Sequence, residues 1–347
     1  MDMDRSTAVS IIVPLYNRRE TIARCLDSLT GQTLKEIEIV VVDDGSTDNG
    51  ADVVREYQKK DDRIVLITQK NQGPGAARNA GIRACHGEYI GFVDCDDYVE
   101  PQMYEKLFQA VQDYQTDVAV CQEKNVCQEA DGAVRVLGET SFPNETTKVY
   151  ERKQVLEWFL NDTYLSLNSV CFKLMRKTLF TEKKIWFPEN YRHVEDLPVS
   201  AGIFSTAQSV AFVPESLYCY IHETGTRSTS CSLKKAEDIY QDMLDVMRYL
   251  KKAGSTEEFD NFVLGMKFSS LRQLYGTKSK TERKGKEARM LLKKWKRAGR
   301  KVKPEFHGKE IPVFHKMKIL ASYYHLEPLV CLAFKMLGRI PFFKYMV

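Results

Sequence analysis

The chain is expected to fold as an α/β domain, a mixed but mostly parallel sheet flanked by helices, with a helical C-terminal extension. Three observations predict this. Apolar runs suited to strands buried on both faces alternate with helical stripes through residue 121. Polar clusters fall where those strands end. Basic residues are concentrated in the last third of the chain, which otherwise reads as helical.

Val9–Leu15 (VSIIVPL) is the first buried strand. Asn17 is a suitable N-cap for a helix whose stripe is Ile22, Cys25, Leu26 and Leu29. Residues 37–42 (IEIVVV) form a second strand that ends in Asp43-Asp44-Gly45-Ser46. A helix bearing Val53, Val54 and Tyr57 follows, then a strand at Ile64–Thr68. Gly73-Pro74-Gly75 leads into a short helix over residues 76–84. The fourth strand, residues 89–93, runs into Asp94-Cys95-Asp96-Asp97. Pro101 is expected to open a helix carrying Tyr104, Leu107, Phe108 and Val111. A strand at residues 117–121 comes next, then an irregular, hairpin-like stretch to residue 150. Helices and short strands continue to about residue 220. The remainder is helical, with breaks at Gly254, Gly299 and Pro304. In such sheets the ligand crevice lies at the C-terminal strand ends. Tyr16, Asp43 and the Asp94–Asp97 cluster all fall there.

At 347 residues and 40.0 kDa, one large domain with an appendage, or two domains, is expected. Hydrophobic residues at 43% and charged residues at 28% fit a soluble globular chain and exclude disordered, collagen-like and coiled-coil classes. No apolar run is long enough for a spanning helix, and residues 1–7 lack the apolar core of a signal peptide. The nine cysteines include no C-x-x-C pair, so reduced thiols are expected rather than a zinc site. The net charge of +4 hides a cancellation. Residues 1–233 hold 25 Lys+Arg against 35 Asp+Glu, whereas residues 234–347 hold 26 against 12.

Adjacent carboxylates such as Asp94, Asp96 and Asp97 repel unless a cation or hydrogen bonds offset them. Hard oxygen ligands of this kind suit Mg²⁺ or Mn²⁺ shared with a substrate phosphate; a solvated acidic turn with a helix cap is the alternative. Asp43 at a strand end can accept from a pyrimidine N–H or from ribose hydroxyls, or can cap a turn. In residues 71–81 (NQGPGAARNAG), the glycines allow close backbone approach, and Arg78 can pair with a base edge or a phosphate. Walker and dinucleotide fingerprints are absent.

SIIVPLYN, VVVDDGSTD, NQGPGAARNAGI and YIGFVDCDDY, in this order, closely resemble the nucleotide-sugar half of family 2 glycosyltransferases, which have the GT-A fold. The resemblance covers residues 9–122 and extends more loosely to about 230. It implies that Asp96 holds a divalent metal, Mn²⁺ or Mg²⁺, on the donor diphosphate. It also implies that Asp94 contacts ribose or the surroundings of the metal. Tyr16, Asp43 and Arg78 would line a uridine pocket shaped by Pro14. Phe172-Lys173-Leu174, Glu195-Asp196, Leu217-Tyr218-Cys219-Tyr220 and the 225–230 loop resemble bacterial polysaccharide-assembly members. The family often has Trp-Asn before the lysine, where this chain has Cys171-Phe172.

Inverting transfer needs a base for the acceptor hydroxyl proton. By resemblance that base is Asp196, with Glu195 orienting the acceptor; the alternative is a capping pair ahead of Pro198. His222 and Arg227 would neutralise the departing diphosphate, and His193 is acceptor-side or structural. The expected activity is thus inverting, metal-dependent transfer from a UDP-sugar to a glycan or lipid-linked acceptor in bacterial surface polysaccharide synthesis. The alternative is a non-catalytic nucleotide-sugar-binding or scaffolding subunit at the membrane. A sugar nucleotidyltransferase would need a Gly-rich N-terminal phosphate loop, which this chain lacks.

The expected division is a transferase domain at residues 1–233, with its nucleotide-sugar half at 9–122 and its acceptor half at 123–233. Residues 234–347 form the basic helical region. Residues 278–303 hold 13 Lys+Arg around Trp295, and apolar residues at helical spacing follow. That pattern suits a helix on an anionic membrane, giving a cytoplasmic protein peripheral to the inner membrane face. Packing on its own domain or on a second copy is the other reading. Nucleic acid is not an expected partner, since no nucleic-acid motif accompanies the charge.

Overall fold

In the computed structural model the first third of the chain runs β1 (Val9–Leu15), α1 (Arg19–Thr30), β2 (Ile37–Asp43), α2 (Gly50–Gln58), β3 (Ile64–Thr68), α3 (Pro74–Ala84), β4 (Tyr89–Phe92), β5 (Tyr98–Val99) and α4 (Met103–Asp113). Then come β6 (Val118–Gln128), β7 (Val134–Glu139), β8 (Lys148–Glu151), α5 (Arg152–Leu160), β9 (Lys173–Arg176), α6 (Thr178–Thr181), α7 (Asp196–Thr206) and β10 (Ser209–Ile221). The helices α8 (Leu233–Lys252), α9 (Phe259–Gly276), α10 (Lys280–Lys284), α11 (Lys286–Ala298) and α12 (Val313–Tyr323) follow. The structure describes residues 7–128, 134–162, 167–189, 195–222, 231–254, 259–277, 279–298, 302–304 and 311–329. One compact unit comprises Met1–Leu156 with Tyr164–Thr224; the other comprises Glu157–Thr163 with Gly225–Val347.

The first unit is built on one sheet in the order β3-β2-β1-β4-β9-β6-β10-β5, with β7 on β6 and β8 on β10. The pairings β1–β2, β2–β3, β1–β4 and β6–β10 are parallel. Antiparallel β9 sits between β4 and β6, which makes the sheet mixed. Every residue of β2 is buried, as its unbroken apolar run predicts. Helix α3 packs very closely on β1: a Cβ on Gly81 would stand 2.5 Å from Ile12 Cγ2. The expected hairpin in residues 122–150 is present as the antiparallel β6–β7 pair.

Two helix starts differ from expectation. Asn17 is not an N-cap; it sits at φ 50° and its Oδ1 accepts from the Thr47 N–H at 2.8 Å. Helix α1 begins two residues later, and the Arg19 N–H is taken by Asp48 Oδ2 at 2.9 Å. A carboxylate from the loop after β2 therefore satisfies a donor that the local sequence leaves open. Pro101 lies in a turn, and α4 starts at Met103.

In the second unit α9 packs against α8 and α12. Helix α8 is capped by the Ser232 hydroxyl, which accepts from the Lys235 N–H, and it buries Ile239, Met243, Val246 and Leu250 as its spacing predicts. Helix α11 buries Ala288, Leu291 and Trp295. The Trp295 indole is only 1% exposed; it donates to Ser270 Oγ at 2.9 Å and stands edge-on to Tyr240. Trp295 therefore belongs to the core of this unit and is not a surface anchor, because the apolar stripe of α11 is consumed by its neighbours. Exposed apolar side chains are Met290 on α11, Val313, Met317 and Leu320 on α12, and Tyr324 just beyond it, among others. Among the described residues no helix is long and apolar enough to cross a membrane.

Candidate active site

The site is assembled at the C-terminal ends of β1, β2 and β4, as expected for this sheet. Tyr16 follows β1 with its ring part-exposed, and Pro14 is half-buried one turn of strand earlier. Asp43 closes β2; its Oδ1 accepts from the Ser46 N–H at 3.0 Å. The next residue, Asp44, points elsewhere. Its two carboxylate oxygens accept from Gln69 Nε2 at 2.8 Å, the Gln72 N–H at 2.9 Å and the Gly73 N–H at 2.8 Å. Asp44 thus fixes the glycine-rich loop that leads into α3. Nothing in the sequence distinguishes its task from that of Asp43.

The Asp94–Asp97 cluster divides into two kinds of carboxylate. Asp97 is buried and accepts from Tyr218 Oη at 2.7 Å and from the Ile221 N–H at 2.9 Å. Burial first, then Asp94 and Asp96, push its carboxyl well above the usual range. Asp94 and Asp96 keep side chains 37% and 32% exposed. Asp96 Oδ2 lies 3.2 Å from Arg18 Nε, and its carbonyl accepts from Arg24 Nη2. Tyr218 Oη also accepts from the Asp94 N–H at 3.2 Å, so β10 braces the turn.

Arg78, on α3, is buried among carboxylates. Its Nη2 donates to Asp94 Oδ1 at 2.8 Å and its Nη1 to Glu195 Oε1 at 2.7 Å, while Asp196 Oδ1 lies 3.4 Å away. Burial opposes its charge, but Asp196, Asp94 and Glu195 together hold the guanidinium well above its ordinary range. One cation thereby joins the β4 strand end to the start of α7. Glu195 occupies the N-cap position of α7, yet neither it nor Asp196 makes a capping hydrogen bond there. Asp196 Oδ2 instead accepts from the Val170 N–H at 3.2 Å and from Ser169 Oγ at 3.4 Å. Burial raises the Asp196 carboxyl to about 6 against the pull of Arg78, with Glu195 and Asp94 adding to the rise.

His222 Nε2 lies 2.7 Å from Asn125 Oδ1, and the ring stands edge-on to Tyr220. Burial lowers its pKa from 6.5, so at neutral pH it offers a neutral ring and not a cation. Arg227 and His193 lie outside the described residues. Among the described residues no group of three His, Cys, Asp or Glu side chains is placed to hold a metal ion. Mg²⁺ and Mn²⁺ do not need such a cage when a diphosphate completes their shell. The two part-exposed carboxylates of Asp94 and Asp96 are hard donors of the type these ions take, so the residues present fit such an ion.

Residues 10–182 match the family described as Glycosyl transferase family 2. The chain is 35% identical over 237 residues to the uncharacterized glycosyltransferase EpsJ of Bacillus subtilis, a match covering 66% of this chain and 65% of that protein. It is 34% identical over 242 residues to the glycosyltransferase GlyG of Streptococcus pneumoniae, covering 68% of this chain and 78% of that protein. The crystal structure of Staphylococcus aureus TarS residues 1–349 in complex with UDP-GlcNAc aligns with a TM-score of 0.64 at 22% identity. That alignment covers 92% of this chain and 90% of that one, a likeness of fold.

Proposed function

The chain belongs to glycosyl transferase family 2, has the GT-A fold and is a glycosyltransferase; on that premise we propose that it inverts the anomeric centre of a UDP-sugar as it transfers the sugar to a glycan or lipid-linked acceptor. The setting proposed is synthesis of a bacterial surface polysaccharide. The observation that carries the reading is the single buried guanidinium of Arg78 bonded to Asp94 on one side and Glu195 on the other. It joins the expected donor-side carboxylate to the expected acceptor-side pair. UDP as the nucleotide is supported by the UDP-GlcNAc held by TarS.

In this mechanism Asp196 takes the acceptor hydroxyl proton as the acceptor oxygen attacks the anomeric carbon. The bond from that carbon to the β-phosphate oxygen breaks, and UDP leaves on the opposite face. A carboxyl raised to about 6 is still mostly ionised at neutral pH and is a stronger base than an ordinary aspartate. Glu195 orients the acceptor and, through Arg78, keeps its register with Asp94. Pro14, Tyr16 and Asp43 line the nucleoside side, and His222 with Arg227 contact the diphosphate. Asp96, with Asp94 nearby, would hold Mn²⁺ or Mg²⁺. Such an ion, when bound, supplies positive charge to the leaving diphosphate.

We assign the transfer chemistry to residues 1–233, with 9–122 as the nucleotide-sugar half and 123–233 as the acceptor half. Residues 234–347 keep the protein at the inner membrane face. Support for the latter comes from the exposed bases Lys286, Arg289, Lys293 and Lys296 on α11 and the exposed apolar side chains of α12.

The test is metal-dependent UDP release from a panel of UDP-sugars, with and without glycan acceptors. Asp96→Ala is expected to abolish turnover at saturating metal. Full turnover by that variant would remove Asp96 from the reaction.

A further inference from the structure

Lys173 opens β9 with its side chain inside the first unit, 1% exposed. Burying an ammonium is costly, so its partners are informative. Its Nζ donates back to the Ser169 carbonyl and lies 5.7 Å from the centre of the Phe172 ring and 5.6 Å from that of Phe204. The turn it closes is the one that holds Asp196. Ser169 Oγ accepts from the Cys171 N–H at 3.1 Å, and the Val170 N–H and Ser169 hydroxyl are the donors on Asp196 Oδ2.

The same turn is strained. Phe172 sits at φ 53°, a conformation that costs a bulky residue on the order of 1–3 kcal/mol and persists only where the surroundings over-determine it. Here the surroundings do so. The Phe172 carbonyl accepts from the Cys121 N–H at 2.9 Å, and its ring stands edge-on to Tyr218, the residue that braces Asp97 and the Asp94 N–H. Among the described residues, Asp196 is faced by charged groups from four elements, Arg78 on α3, Asp94 at the end of β4, Glu195 before α7 and Lys173 on β9, and by the titratable Cys171 thiol.

We propose that Lys173 is a positioning residue for the acceptor-side base: its ammonium clamps the 169–173 turn so that the Val170 N–H and Ser169 hydroxyl stay on Asp196 Oδ2. The inference rests on Asp196 being the base. Lys173 touches neither substrate nor reacting atoms; it acts through the turn and, as a nearby cation, through the charge of Asp196.

The experiment is a double-mutant cycle of Lys173→Met and Asp196→Asn in the full chain, read by steady-state UDP release with acceptor present. Lys173→Met is expected to lower kcat on the order of 10–100-fold with donor KM unchanged. The acid limb of its kcat profile moves to higher pH, because a cation facing Asp196 is gone. In the Asp196→Asn background the same change is expected to cost nothing further. Equal losses in both backgrounds, a rise in donor KM at constant kcat, or an unmoved acid limb would overturn the proposal. Full transfer by Asp196→Asn alone sinks the base assignment itself, a different failure. If Lys173→Met does not fold, Ser169→Ala removes one donor of the same clamp; it is expected to lower kcat at constant donor KM, and wild-type kcat there refutes the clamp.

Discussion

Arg78 Nη1 stands 2.7 Å from Glu195 Oε1, a buried ion pair between residues 117 positions apart. The same guanidinium reaches Asp94 and Asp196, so it serves three carboxylates at once. Arg78→Met removes it from all three. It is expected to destabilise the first unit by about 3–5 kcal/mol at neutral pH, since removing one partner of a buried pair leaves uncompensated charge. Urea unfolding measures this, and the deficit should shrink in acid as the carboxylates protonate. Arg78→Lys should rescue little, because a point charge cannot span two carboxylates as a planar fork does. Wild-type stability in Arg78→Met would refute the dependence.

Asp196 carries a pH signature of opposite sign to that of a typical salt-bridged aspartate. Its carboxyl is raised from 3.8 to about 6, chiefly by burial, so the folded chain binds that proton more tightly than the unfolded chain does. The stability this confers is fully present below about pH 4 and is lost as pH rises through about 6. Asp196→Asn removes the titration. Relative to wild type it should gain up to about 3 kcal/mol above pH 7, a difference that closes below pH 4. Its UDP affinity should be preserved while most of kcat is lost. A stability difference that does not change with pH would contradict the raised value.

Asp44 holds three donors from the loop before α3. Asp44→Ala leaves the Gln72 and Gly73 N–H groups without their acceptor, at a cost of about 1–3 kcal/mol each where they stay dry. Arg78 lies on the helix that this loop starts, so donor KM is expected to rise as well. Thermal melting and a UDP titration check both effects, and an unchanged melting temperature would show that water replaces the carboxylate.

Trp295 separates core from surface in the basic region. Trp295→Ala should cost about 3–5 kcal/mol, as a large core side chain does. Replacing Met317 and Leu320 of α12 by Ser should weaken binding to anionic liposomes with little loss of stability. Comparing melting with vesicle co-sedimentation distinguishes the two. Liposome binding indifferent to the α12 changes and to salt would argue against a membrane-facing role.

Much of the fold is legible because its causes are local. An unbroken apolar run such as residues 37–42 has no stable place except a strand buried on both faces, and β2 is such a strand. The spacing of Ile239, Met243, Val246 and Leu250 likewise specifies the buried stripe of α8. The four ordered motifs identify the family and the sheet edge where polar side chains gather, because strand ends are set by the same pattern.

What depends on distant partners is decided only by the tertiary structure. The sequence assigns Asn17 as the cap of α1, but the donor is met by Asp48 from a neighbouring loop. It groups Asp43 with Asp44 and Asp96 with Asp97, whereas packing buries Asp44 as a loop anchor and Asp97 as the acceptor of Tyr218. It leaves Trp295 open to a membrane reading that the packing of α11 removes. A side chain's place in the pattern sets the face it takes, but its charge partners are chosen by whichever strand end folds beside it. Coulomb energy and desolvation depend on distance and burial, and neither is written in residue spacing.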